Sequence, residues 1–437
     1  MDNTKPIKRG QIAAKAVVKV GLAHSKGFAK RVFGANKEIS SKQTHQESAK
    51  IIFEALSQLK GISVKVAQQV ALAMPFLPQS YLDELSKTFH SLPPINKALM
   101  RKIIKQELGD YPENIFNSFD STAFASASLG QVHKAVIDNE PIAVKVQYPA
   151  ICSTIAIDMK ILSYGLKHFA KGGNIDHLIK EINDRLYEEV DYENEANNVN
   201  YFRQHTTNKQ IVIPKVYENL STKKVLTLSF IDGLHFDSFM NTKPSIQTIN
   251  HYAQLIFDTF FDSLYRCKAI HADPNPSNFL FIKDGKLAMI DFGCIKKVDN
   301  LFLQKYNELH LSLIDGEDEE YIIAKYVQLG MIDEGSKEDM AWFYQEVIKP
   351  LDSLYIEILI NDTYDFGAHG DFTKRGFDAV MKVSQKKTHS IHKVNQEILF
   401  IDRTLLGYYA IFEKMGAIIN TKKAKEIMRK FKGENNE

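Results

Sequence analysis

The sequence predicts an α+β chain of two lobes, a small strand-rich lobe followed by a helical one, with a helical extension ahead of both. Three observations carry that reading. Apolar runs rich in strand-forming residues flank tight turns between Val132 and Gln147 and again between Phe279 and Ile290, the pattern of strand hairpins. Apolar residues spaced three and four apart dominate before Pro112 and after Ile246, the period of helices. A polar loop, His271-Ala272-Asp273-Pro274-Asn275-Pro276-Ser277-Asn278, sits where a helical stretch gives way to the second strand pair, and that pair leads to Asp291-Phe292-Gly293.

Composition narrows the function classes. At 437 residues the chain is long enough for two or more ordinary domains. A formal net charge of +2 gives no argument for a nucleic-acid partner, and none is expected. Cys152, Cys267 and Cys294 are scattered without metal-ligand spacing, which suits a reducing cytoplasm. No apolar run reaches the roughly 18 residues of a membrane span. The most apolar helix candidate, near Leu255 to Ile270, is interrupted by Asp258, Asp262 and Arg266 and reads as a buried helix.

Four segments follow from the pattern: a basic arm over 1–40, a helical extension over 41–112, the strand-rich lobe over 113–232 and the helical lobe over 233–437. Residues 3 to 37 hold nine lysines and arginines, from Lys5 to Lys37, and no acid. Such an arm is compatible with an anionic membrane surface, which would make the protein peripheral, and equally with a solvated tail. In the extension, Lys65 and Gln68 stand three apart and share one helix face. Asn96 is placed to cap a helix running to Leu108.

Small residues then enter the first strands. Ala125-Ser126-Ala127-Ser128-Leu129-Gly130 lets a backbone approach phosphate closely, although with a single glycine the loop is stiffer than a Gly-rich one. Val132 to Ile137 and Ile142 to Gln147 form a hairpin around Asp138 to Pro141. Lys145 lies in the middle of an apolar strand, where a buried cation needs a charged partner. The acidic stretch from Asp184 to Asn200, read as one helix, supplies candidates: Glu195 lies near the face of Glu188 and Asp191, and Glu189 points about 120° away. Val212 to Glu218 and Lys224 to Ile231 read as two further strands. From Ile246 onward all but the hairpin after the polar loop is read as helical. No Ser/Thr-rich segment follows Cys294, and Asp315 to Glu320 reads as a solvated acidic turn and helix start.

Asp273 and Asn278 are five apart and Asn278 and Asp291 thirteen apart, the spacings of a kinase catalytic loop and its metal-binding aspartate. Phosphoryl transfer asks a protein to place a carboxylate at the attacking group and to hold metal against phosphates. Asp273 is therefore expected as base or orienting group, with Asn278 and Asp291 as oxygen ligands of magnesium. Two prolines stiffen the loop between them.

Taken together, residues 50 to 300 resemble the UbiB/AarF family of atypical, protein-kinase-like proteins. The motifs are Lys65-Val66-Ala67-Gln68, the Ala-rich stretch Ala125 to Gln131, Lys145, Glu189-Val190-Asp191, the loop His271 to Asn278, and Asp291. The resemblance implies a kinase-like fold, ATP or ADP with Mg2+ as cofactors, and catalytic roles for Asp273, Lys145 and Glu195. It implies a nucleotide site of Ala125, Ser126, Ala127, Ser128, Gly130, Lys145, Lys65, Gln68 and Glu189. Lys65 would pair with Glu189 and Lys145 with Glu195, the Lys65 helix folding over the nucleotide and blocking a protein substrate. The implied function is an atypical kinase or ATPase tied to isoprenoid quinone (ubiquinone) synthesis or membrane lipids, with a lipid or quinone precursor and lipid-biosynthesis proteins as partners. Ala67, Asn275 and Ser277 depart from the family's Gly, His and Gly. Two alternatives stand beside it: a pseudokinase scaffold with negligible turnover, and a small-molecule phosphotransferase of the aminoglycoside-kinase type.

Overall fold

A computed structural model describes residues 95–127, 129–149, 151–169, 175–384 and 395–431, together with Lys15 and Lys19. The helices expected between 45 and 92, the basic arm apart from those two lysines, and Lys65, Gln68 and Ser128 among the site candidates lie outside the described residues. The chain divides into two compact units, Met1–Ala196 with Val216–Phe230, and Asn197–Lys215 with Ile231–Glu437.

In the first unit, Asn96 accepts a bond from the Ala98 amide and opens α1 (Lys97–Leu108), which Gly109 closes in the left-handed conformation. A short helix, α2 (Pro112–Ile115), follows. The sheet comprises β1 (Ser118–Phe119), β2 (Ala125–Ala127), β3 (Gly130–Ile137), β4 (Glu140–Gln147) and β6 (Val225–Ser229), in the order β1-β3-β4-β6 with β2 also on β3. Asp138 and Asn139 both take positive φ, the backbone a two-residue hairpin turn requires. Alternation divides the strands between two faces. Ala135, Ile142, Val144, Val146 and Val225 lie in one core with Met100, Ile103 and Ile104 of α1. Burying each of the larger side chains contributes roughly 1.5–3 kcal/mol. The opposite face carries Lys145, in register with Val132 of β3 and Leu226 of β6.

Helices α3 (Ile151–Phe169) and α4 (Ile175–Glu188) follow, then α5 (Tyr192–His205). The single helix expected over Asp184 to Asn200 is therefore two. Gln147 donates to the carbonyl of Val190 at 2.7 Å, and the Asp191 side chain accepts from the Asn194 amide at 3.1 Å, so Glu189-Val190-Asp191 is a turn that caps a new helix. Angles counted across it carry no meaning. The expected strand Val212 to Glu218 is also corrected. β5 (Ile211–Val212) ends before Pro214, which has no N–H to give, and Glu218–Leu220 is a 3-10 turn. Only a single bridge, Val216 to Leu228, remains of that pairing.

The second unit is mainly helical. α6 (Phe236–Asn241) and α7 (Ile246–Asp262) lead through a π turn at Ser263–Cys267 into β7 (Ala269–His271). β8 (Phe279–Phe281) and β9 (Leu287–Met289) form the hairpin expected at Asp284-Gly285, with β5 parallel to β9, and β10 (Ile295–Lys297) pairs with β7. Then come α8 (Asn300–Asp315), α9 (Glu319–Gln328), α10 (Lys337–Phe343), α11 (Lys349–Ile360), β11 (Thr363–Asp365), α12 (Phe372–Ser384), α13 (Gln396–Met415), β12 (Ile418–Asn420) and α14 (Lys422–Lys430). The all-helical reading of this region missed the β7–β10 and β11–β12 pairs, whose three-residue strands are shorter than any period can register. Among the described residues no helix is long and apolar enough to cross a membrane.

One acid lies in this core, Asp402, and a second, Asp352, is half-buried at its edge. Tyr306 on α8 donates to Asp402 on α13 at 2.7 Å, and Tyr326 on α9 donates to Asp352 on α11. Burial pushes the Asp402 carboxyl up to about 7 and that of Asp352 up to about 8. Both keep a proton in the folded chain that the unfolded chain has lost, so their stabilising effect is complete below the ordinary aspartate range and is lost as pH rises through 7 and 8. Buried His310, pushed down to about 4, has the opposite sign, losing stability as pH falls below its ordinary 6.5. Above that value the histidine no longer opposes the aspartates. Thermal melts should therefore show a falling midpoint from pH 6.5 to 8.5, and Asp402→Asn should flatten the fall. A midpoint that rises over this range contradicts the assignment.

Candidate active site

The first unit brings Lys145 and Glu195 together. Lys145 Nζ lies 2.8 and 2.9 Å from the two carboxylate oxygens of Glu195, a residue only 1% exposed at the first turns of α5. The ring of Tyr192, one turn earlier on α5, stands 5.1 Å from the same nitrogen. β3 crosses this point at Gly130. A Cβ there would fall 2.5 Å from the Val146 carbonyl oxygen and 2.6 Å from the Tyr192 hydroxyl, so the one glycine of the Ala-rich stretch is required by packing against the Lys145 support.

Ala125 to Ala127 and Gly130 to Val132 face each other as an antiparallel hairpin, with Leu129 buried in its turn. On the Lys145 face of the sheet, Lys134 Nζ lies 5.2 and 4.6 Å from the rings of Phe124 and Phe230, which meet edge-on. Glu189 sits half-buried in the turn before α5, its amide bonded to the Arg185 carbonyl. On the other face, His133 donates Nδ1–H to the Asp120 carbonyl at 2.8 Å, which makes Nε2 the acceptor of the bond that the Gln131 amide donates at 2.7 Å. Burial holds this imidazole below its ordinary range, and so uncharged.

The second unit brings Asp273, Asn278 and the backbone leading to Asp291 together. The Asn278 amide nitrogen donates to the main-chain oxygen of Asp273 at 3.0 Å and to its Oδ2 at 3.2 Å. These two bonds fix the plane of its side-chain amide. The Asn278 carbonyl in turn accepts from the Ile290 amide at 3.0 Å, and Asp291 Oδ1 accepts from Gly293 at 3.0 Å. His271 donates Nε2–H to the main-chain oxygen of Asp291 at 2.5 Å, since a carbonyl can only accept. Phe292 is fully buried against His271 and Phe202, and its carbonyl accepts from Asn198 at 3.0 Å.

Asn275 has a visible local task. Its side chain accepts from the Ser277 amide at 3.0 Å and caps the 3-10 turn Pro276–Asn278. An amide at this position thus does the turn-forming work beside the two prolines. Residues not singled out from the sequence include Gln147, Tyr192 and Tyr408. Gln147 had a signal, a buried polar side chain on the Lys145 strand. Tyr408 had none, because its partner lies 137 residues away.

The fold and the loop spacing define a kinase-like protein. Residues 87–325 match the ABC1 atypical kinase-like domain, and the chain belongs to that family. "Probable serine/threonine-protein kinase abkB" of Dictyostelium discoideum is 33% identical over 286 residues, 62% of this chain and 43% of that protein. An uncharacterized chloroplastic aarF domain-containing protein kinase of Arabidopsis thaliana is 30% identical over 332 residues, 74% of this chain and 46% of that protein. The chain thus spans under half the length of these relatives. The fold is shared with Rv3197 of Mycobacterium tuberculosis, solved in complex with erythromycin, at a TM-score of 0.62 and 22% identity over 91% of this chain and 98% of that one.

Proposed function

We propose that the protein is an atypical kinase or ATPase that binds ATP, or ADP, with magnesium and transfers the terminal phosphoryl group to water or to an acceptor linked to membrane lipid or isoprenoid quinone synthesis. The observation that carries the reading is the Asp273–Asn278 pair on a loop tied to Asp291. Two oxygen donors, one of them anionic, on backbone cross-linked by hydrogen bonds form a donor set that suits a hard cation. Asn278 and Asp291 are assigned to the metal. Bound magnesium supplies neutralisation of charge at the nucleotide phosphates. Lys145, held by Glu195, is assigned to the phosphates. Asp273 is assigned to the acceptor's proton or to its orientation, and the Asn278 bond fixes where its carboxylate points. The hairpin carrying Ala125 to Gly130 is assigned to covering the phosphates. The Lys65 helix is assigned to restricting access, with Lys65 toward Glu189. The link to lipids rests on the resemblance to the UbiB/AarF family alone. An anionic surface is the partner proposed for the arm.

The test is phosphate release from ATP by the full chain with magnesium, with and without anionic vesicles and a quinone-precursor mimic, comparing wild type with Asp291→Asn. Loss of the metal's charged ligand is expected to lower turnover by roughly a hundredfold or more. Nucleotide binding without turnover in either form would instead favour the scaffold.

A further inference from the structure

We propose that α13, which lies beyond the family-matched residues 87–325, positions the catalytic loop through Gly407 and Tyr408; the inference rests on the reading of Asp273 and Asp291 given above. The Tyr408 hydroxyl donates to the main-chain oxygen of His271 at 3.0 Å, and its ring is buried against Phe260 of α7 and Phe279 of β8. One residue earlier, a Cβ on Gly407 would fall 2.2 Å from Cγ and 2.8 Å from Cβ of Pro274. The helix backbone therefore lies directly on the proline ring. Glycine inside a helix costs about 1 kcal/mol against alanine, and this contact is what the glycine permits.

The two contacts bracket Asp273. Its predecessor by two residues is held through a carbonyl and its successor through a ring, so the carbonyl of His271 and the ring of Pro274 both have a fixed wall. The same His271 uses its side chain to hold the Asp291 main chain. A single helix surface thus sets the backbone on which the proposed base and the proposed metal ligand both stand. The surface is itself anchored, because Asp402, less than two turns before Tyr408, is tied to α8 by Tyr306, and Phe412 packs on Phe257 of α7. Gly407 and Tyr408 are positioning residues, since neither is assigned to substrate, nucleotide or metal.

The experiment compares the full chain, Tyr408→Phe and Gly407→Ala by hydrogen exchange of the amides of His271 to Asp273, Asn275, Ser277 and Asn278, by titration with ATP and magnesium, and by steady-state phosphate release. Tyr408→Phe keeps the ring and removes one hydroxyl. It is expected to speed exchange in the loop, with exchange in α8 and the sheet unchanged, and to lower kcat roughly ten- to a hundredfold with KM nearly constant, the effect of a misplaced rather than a missing group. Gly407→Ala is expected to do the same more strongly, and adding Pro274→Ala, which removes the nearest ring carbon, to restore part of the melting temperature. If wild type turns over and Tyr408→Phe alters neither loop exchange nor kcat, the positioning role is wrong while the enzymatic reading stands. If nothing turns over but loop exchange rises in Tyr408→Phe, the contact holds the loop and it is the enzymatic reading that fails.

Discussion

Lys145→Met is expected to destabilise the fold by about 3–5 kcal/mol, the cost of leaving one partner of a buried ion pair uncompensated. Glu195 is the buried partner, and both its oxygens lie within hydrogen-bond distance of Lys145 Nζ. Adding Glu195→Gln removes the buried charge and should recover most of the stability, because an amide is far cheaper to bury than an ion. Urea denaturation of the four members of this cycle reads the effect. Nucleotide affinity should stay low in both variants that lack Lys145. Equal stability of wild type and Lys145→Met would mean that the pair does not hold this part of the unit together.

Asp273→Asn is expected to reduce turnover by roughly 10²–10⁴, the range for loss of a general base. Its fold should be preserved, because the Asn278 side chain also bonds the Asp273 main-chain oxygen, which the change leaves in place. Nucleotide affinity should move little, since the aspartate is assigned to the acceptor rather than to the phosphates. Steady-state phosphate release at saturating ATP is the measurement. A loss of less than threefold would remove Asp273 from the chemistry and return the role to a group outside this loop.

Much of this architecture was legible because its signals are local. The turn at Asp138-Asn139, the hairpin at Asp284-Gly285 and the cap at Asn96 each rest on two or three adjacent residues with strong backbone preferences. The loop spacing was legible for the same reason, since five and thirteen residues of chain fix where Asn278 and Asp291 fall relative to Asp273. What escaped depends on distant partners. The acidic stretch reads as one helix until Gln147, 43 residues earlier, takes the Val190 carbonyl and breaks it. Tyr408 reads as one more aromatic on a helix until the fold sets it against His271. The expected strand ran past β5 because Val212, Ile213 and Val216 are β-branched strand formers that mask the effect of Pro214. Gly130 was legible as a glycine in a small-residue loop, yet its packing reason is set by Tyr192 and Val146.

The measurement that tests the central claim most directly is calorimetric titration of the full chain with ATP, with and without magnesium, for wild type and Asp291→Asn. The account predicts nucleotide binding that magnesium strengthens in wild type, and loss of that strengthening, with metal-free binding retained, in Asp291→Asn. Wild-type binding that is absent, or equal with and without magnesium, would contradict it.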